Sequence, residues 1–327
     1  MSAPPLPGPV PGPLVDDDVP ALWQRLGLPG LVDQHVHYMP KNVLDKVWAF
    51  FDGVGPLTGV DWPIAYRTEE ADRLERLRAL GVREFRSLVY PHKPDMAAWL
   101  NAWAADFAGQ HADVLHTATC YPEPSAARYV EQALSAGAQV FKVHLQVGGY
   151  DPRDAHLEPV WGMLADAGVP VVTHCGSGPT PGAFTGPGPV ADVLGRHPSL
   201  TVVVAHMGMP EYGDFLGLAR RHDRVHLDTT MAFTDYVEAT MPFPADLLPV
   251  LADLGDRVVL GSDFPNTPYR YAHQLEALVR LGLGDDWLRG VLHDNGARLV
   301  GLGPRAAGRA RGPSPGRGTP GVRTGLR

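Results

Sequence analysis

The chain has 327 residues, 44% of them hydrophobic and 20% charged, with a net charge of −8, the balance of a soluble globular protein with a substantial core. No apolar run approaches the roughly 20 residues needed to cross a bilayer, and residues 1–15 lack a basic start followed by an apolar core, so neither a membrane span nor a signal peptide is expected. Two cysteines, Cys120 and Cys175, are too few for a disulfide framework and fit a reducing compartment, so a cytoplasmic location is expected.

In chain order, residues 1–28 read as a proline-rich N-terminal extension, poorly ordered in its first 20 residues. Eight short β-rich runs follow: LVDQH (31–35), REFRSLVY (83–90), VLHTAT (114–119), QVFKVHL (139–145), VPVVTHC (169–175), LTVVVAH (200–206), RVHLDTT (224–230) and RVVLGSD (257–263). Between them lie amphipathic segments such as 68–81, 95–109 and 124–138, several ending in the glycine that stops a helix. Alternating strands and helices call for a parallel sheet, and eight strands, most of them roughly 25–35 residues apart, predict a single-domain α/β fold, a (β/α)8 TIM barrel over residues 29–302. An open doubly wound sheet is the alternative, but no glycine-rich phosphate loop follows an early strand. Residues 38–67 read as a long loop, a candidate lid. Residues 303–327 form an Arg/Gly/Pro-rich tail, predicted disordered, with six arginines and no acids; the remainder holds 22 basic against 36 acidic residues, or −14. So acidic a body argues against nucleic acid as the main partner.

A barrel of this type carries its active site at the C-terminal ends of its strands. Strand one ends in His35-Val36-His37, and period-two alternation would put both imidazoles on one face with Asp33 one pleat deeper. Strand four carries Lys142 and His144, strand five ends in His174, strand six in His206, strand seven carries Asp228 and strand eight ends in Asp263. Burying an unpaired imidazole or carboxylate costs several kcal/mol, so such a ring of polar residues is paired or metal-bound. Three imidazoles and one carboxylate suit zinc and, less strongly, manganese or iron, and they leave positions open for water and substrate.

These motifs resemble those of the amidohydrolase superfamily of metal-dependent barrels. The wording GLVDQHVHYMP, THCG, VAHMG, GSDFP and NGARLVGL looks like its amidohydrolase-related branch, which includes aminocarboxymuconate semialdehyde decarboxylase. The resemblance implies one metal, zinc before manganese, held by His35, His37, His174 and Asp263. It implies that Asp263 also takes a proton while His206 orients or polarises water or substrate. A strand-four lysine bridges two metals in some members; here Lys142 is expected to contact substrate or pair with an acid. Asp33 and Asp228 are expected to orient ligands from behind.

The expected substrate is a small molecule. Trp48 and Trp62 of the long loop are candidate walls of an aromatic pocket, with Lys142, His144 and Arg86 as further contacts and Arg86 a partner for a carboxylate. The leading activity is hydrolysis of a small cyclic or aromatic amide, ester or lactone, and the alternative is non-oxidative decarboxylation of an aromatic or unsaturated acid on the same scaffold. A homodimer fits as the assembly, while nucleic acid and membrane are not expected as partners. Two rivals from other classes are a non-catalytic binder that keeps a metal-shaped pocket and a nucleic-acid binder driven by the tail.

Overall fold

The structure, a computed structural model, describes residues 12–301. Runs dense in valine and threonine become strands, because branched side chains pack well on a pleated surface. Among the described residues these are β1 (Leu31–Val36), β2 (Val82–Ser87), β3 (Val114–Leu115), β4 (Thr117–Thr119), β5 (Val140–His144), β6 (Val171–His174), β7 (Val202–Val204), β8 (Val225–Asp228) and β9 (Val258–Val259). All pair in parallel, in the orders β1-β2-β3 and β4-β5-β6-β7-β8-β9. Strands β3 and β4 are one stave interrupted at His116, its first half paired with β2 and its second with β5. The two sheets meet again where the chain beyond β9 runs beside β1. Gln34 N donates to Leu260 O (2.8 Å), Asp263 N to His35 O (2.8 Å) and His37 N to Phe264 O (2.7 Å). The eight expected staves thus form the ring of a (β/α)8 barrel.

Helices Glu70–Ala79, Ala97–Gln110 and Ala126–Ser135 occupy three of the predicted amphipathic segments. Helix Glu158–Ala167 ends on Gly168 at φ +64°, a left-handed cap that a side chain would strain. Inside the ring, Leu88, Val140, Val172, Val203, Ala205 and Val259 form an apolar plug, with Leu299 and Val300 packed against it. Outside, Phe85, Phe141, Phe215 and Leu275 belong to the larger core between staves and helices.

Four expectations are corrected here. The extension predicted over residues 1–28 is folded from Asp16 onward: helix Val19–Arg25 buries Val19 and Leu22 at 0% and 1% exposure in the main core. Each such burial contributes about 1.5–3 kcal/mol, which holds the arm down despite its prolines. Residues 38–67 are not a plain loop, because helices Lys41–Asp52 and Gly55–Thr58 form within them. Strand eight keeps only two residues of its predicted seven, and the chain then turns irregularly to Asp263 at φ +62°.

The fourth correction concerns alternation in β1. Between Asp33 and Val36 the register slips: three steps along β1 match two along β2, from Phe85 to Ser87. Such a bulge shifts every later side chain to the other face. Asp33 therefore pairs with outward-facing Phe85 and reaches Tyr271 of an outer helix, while His35 and His37 turn into the lumen. The tail over residues 303–327 lies outside the described residues, as do the first eleven.

Candidate metal centre

Strand β1 delivers His35, the residue just beyond its end is His37, and the turn after β9 delivers Asp263 beside them. The ligand atoms of these three buried residues all lie within 4.8 Å of one another. His35 Nδ1 sits 2.8 Å from Asp228 Oδ2, and His37 Nδ1 sits 2.8 Å from Leu88 O. Both partners are pure acceptors, so each Nδ1 carries the proton and each Nε2 presents a lone pair. Those lone pairs face the same Asp263 Oδ1, at 3.3 Å from His35 and 2.9 Å from His37. Three acceptors converge with no proton between them. A cation there resolves the repulsion, and an imidazole backed by a carboxylate or a carbonyl is the ordinary ligand arrangement for zinc. The donor set therefore fits a divalent ion.

The cation that the chain itself offers is Lys142. It is fully buried, and Nζ donates to His35 Nε2 at 3.2 Å. Burial pulls its pKa down to about 8 against the opposing pull of Asp228 and Asp263. Burial also pushes His35 down to about 4, with Lys142 adding to the effect. Burial alone would raise the Asp228 carboxyl, yet His35, whose Nδ1–H donates to it, holds it well below the usual carboxylate range.

Gly261 makes this approach possible. A Cβ there would lie 2.1 Å from Thr230 Oγ1 and 2.9 Å from His35 Cβ. Two functional side chains also sit on left-handed backbone, His206 at φ +56° and Asp263 at φ +62°. Non-glycine residues in that region cost of order 1–3 kcal/mol and persist where the surroundings hold them. Asp228 Oδ1 does so for His206, accepting its amide at 2.8 Å. Both predicted supporting carboxylates thus stand behind ligands: Asp228 behind His35, and Asp33 accepting the His35 amide at 3.0 Å.

Six rings enclose the mouth. Successive centroids are 5.0 Å apart from His35 to His37, 5.6 Å to Tyr90, 4.8 Å to His144, 3.9 Å to His174, 4.7 Å to His206 and 5.1 Å back to His35. His144 and His174 stack because β5 and β6 pair them in register. Burial keeps His144 and His174 well below the usual imidazole range and takes His206 down to about 4, so all three are neutral acceptors or donors at neutral pH. His174 is the one expected ligand that stands outside the group of three. Its Nε2 lies 3.3 Å from Gly178 O, in the turn that follows β6. Tyr90 was missed by sequence reasoning, which placed it only as the last residue of the run 83–90; its position at a strand end was the available signal.

The remaining predicted contacts divide. Lys142 and His144 face the lumen as expected. Arg86 does not line the mouth: it is fully buried, and its Nη2 donates to Gly296 O in helix Asn295–Leu299. That helix bonds through Asn295 to Val258 at the start of β9, so Arg86 belongs to the opposite end of the barrel. Its assignment to strand two carried no information on height in the barrel. Trp48 and Trp62 both spend their indole N–H groups on Asn266, at 3.0 Å to its side chain and 2.7 Å to its carbonyl. They tie the 38–67 segment to the turn that carries Asp263, a structural use of both indoles. No described helix is long and apolar enough to cross a membrane.

Solved structures share this architecture. An uncharacterised TIM-barrel protein from Bordetella bronchiseptica is similar with a TM-score of 0.69 and 21% identity, covering 83% of this chain and 98% of that one. A 5-carboxyvanillate decarboxylase from Sphingomonas paucimobilis matches at TM-score 0.58 and 16% identity, covering 83% and 99%. A probable 2-pyrone-4,6-dicarboxylic acid hydrolase from Acinetobacter baumannii matches at TM-score 0.57 and 12% identity, covering 83% and 99%. At such identities the likeness shows the fold alone, and no curated protein matches the chain. The sequence itself goes further. The family model described as amidohydrolase matches residues 32–302, which takes in the His35–His37 pair, the lumen imidazoles and Asp263, and so the chain belongs to the amidohydrolase family, whose members are generally metal-dependent enzymes, hydrolases and decarboxylases among them.

Proposed function

We propose that this protein is a metal-dependent hydrolase acting on a small cyclic or aromatic amide, ester or lactone. One observation carries the reading: two imidazole lone pairs, fixed by Asp228 and by the Leu88 carbonyl, meet the Asp263 carboxylate at 3.3 and 2.9 Å. His35, His37 and Asp263 would hold the ion, zinc before manganese, with His174 as a further ligand. A divalent ion held there supplies Lewis acidity and lowers the pKa of a water towards ~7. Asp263, with its Oδ1 at 2.9–3.3 Å from both imidazoles, would be the carboxylate placed to take a proton from a water so activated. His206, neutral and with Nδ1 unpartnered among the described residues, donates to charge that develops on the substrate oxygen. Lys142 and His144 orient the substrate, and the enclosing rings exclude bulk water.

The test is metal analysis of the purified protein, followed by incubation of zinc- and manganese-loaded protein with lactones, amides and aryl esters. Product acid appearing only with metal supports hydrolysis. Carbon dioxide released from carboxylated aromatics, with no hydrolysis in the panel, replaces this reading with decarboxylation. Protein that takes up neither ion sinks both.

A further inference from the structure

Helix Tyr271–Arg280 starts without a cap of its own: the side chain of Arg270, at the N-cap, bonds none of its amides. Its first two free amides are taken from elsewhere in the chain. Tyr271 N donates to Tyr66 Oη at 2.6 Å, and Ala272 N donates to Asp16 Oδ1 at 3.1 Å. Tyr66 Oη in turn donates to Asp16 Oδ2 at 2.6 Å, so both oxygens of this buried carboxylate are in use. Asp16 of the N-terminal arm is thus a cap supplied from 256 residues away.

The turn it fixes leads inward. Tyr271 Oη donates to Asp33 Oδ2 at 2.8 Å, and Ser262 Oγ donates to the same oxygen at 2.6 Å. Asp33 Oδ1 accepts the His35 amide at 3.0 Å, and Ser262 Oγ accepts the Phe264 amide at 3.1 Å. Asp263 lies between Ser262 and Phe264, and its own amide donates to His35 O at 2.8 Å. The chain of bonds Asp16–Tyr66–Tyr271–Asp33 therefore ends on the backbone of His35 on one side and on the turn carrying Asp263 on the other. Its members touch no coordinating atom.

We propose that Asp16 and Tyr271 are positioning residues for the metal centre, setting the separation of His35 from Asp263 through Asp33. The proposal rests on the reading of His35, His37 and Asp263 as metal ligands. A cap that only stabilised the fold would change the melting temperature of metal-free and metal-loaded protein alike and leave ion affinity untouched. A positioning role changes the affinity itself, and groups that orient ligands are typically worth 10–100-fold in it.

The experiment is a zinc competition titration against a chromophoric chelator on the full chain. Tyr271→Phe, which keeps the ring and loses one hydroxyl, should weaken zinc about 10–100-fold. Asp16→Asn should weaken it in the same direction, and the cobalt-substituted forms of both should show an altered visible spectrum. Asp17→Asn, whose carboxylate is 90% exposed and meets Arg76 at 3.5 Å, should titrate as wild type. A folded Tyr271→Phe with wild-type affinity and spectrum overturns the proposal. Hydrogen exchange on the unmodified protein covers the case of variants that do not fold. Coupling is reciprocal, so zinc should slow exchange of the Tyr271 and Ala272 amides more than of those opening helix Ala126–Ser135. Equal protection of both overturns the proposal. Wild-type protein that takes up no zinc would instead fail the metal reading on which this one rests.

Discussion

Two halves of the mouth are built from the same residue type and held in opposite ways. On the side of β1 and β9, each imidazole has its Nδ1 bound to an acceptor at 2.8 Å, and its Nε2 is aimed at one carboxylate. On the side of β5, β6 and β7, the imidazoles stack or tilt against one another. Their bonds are sparse: 3.3 Å from His144 Nδ1 to Val147 N, 3.3 Å from His174 Nε2 to Gly178 O, and none among the described residues for His206 Nδ1. The first half is preorganised to hold an ion. The second retains unspent donors and acceptors for a substrate. Histidine count alone therefore says little about ligation; what matters is whether the far nitrogen is fixed.

Loss of the ion should be the largest effect. Asp263→Asn should lower turnover by about 10³–10⁴-fold, and zinc content with it, in assays on whichever substrate the screen identifies. Full turnover with metal bound would end the role assigned to Asp263. Acid comes next. His35 and His206 fall from 6.5 to about 4 in the fold, so the unfolded chain takes up their protons first as pH drops. Their contribution is fully present above about 6.5 and is lost towards about 4, a change on the order of a few kcal/mol. Below that range protonation of Asp228, held low in the fold by the His35 Nδ1–H, removes more. The melting temperature of chelator-treated protein should trace this decline, and a flat profile from pH 7 to 4 would contradict the neutral burial of these rings.

His206→Asn sharpens the contrast from the other side. With zinc content unchanged, kcat should drop about 10²-fold, whereas a loss of zinc in this variant would move His206 into the ligand set. Gly261→Ala is the smallest change in atoms. Its methyl must displace Thr230 Oγ1 or His35, which should cost about 1–3 kcal/mol in denaturant unfolding and weaken zinc binding.

Much of this was legible in the sequence where composition and period carry it. Valine-rich runs marked the staves, and polar residues at their ends marked the mouth, because nothing apolar explains His35, His37, His206 or Asp263 there. What was not legible depends on contacts remote in sequence. The bulge in β1 arises from pairing with β2, so alternation alone put Asp33 on the wrong face. Arg86 has the pattern of a lumen residue at either end of the barrel, and only its bond to Gly296 reveals which. Prolines hid the folded arm, since the short apolar stripe of Val19 and Leu22 is too brief to read as a helix. His174 has the wording of a ligand, but its stacking on His144 follows from the register of β5 with β6, which no local pattern shows.

The extra residue in β1 has one more consequence. With Asp33 turned to the helical shell and His35 to the lumen, a single short stave answers to two neighbourhoods at once. Substitutions accepted on the outer surface for solubility or thermal endurance will be felt by the chemistry wherever they disturb Tyr271, and a redesigned pocket will be felt by the shell. In this barrel the first wall cannot be varied one side at a time.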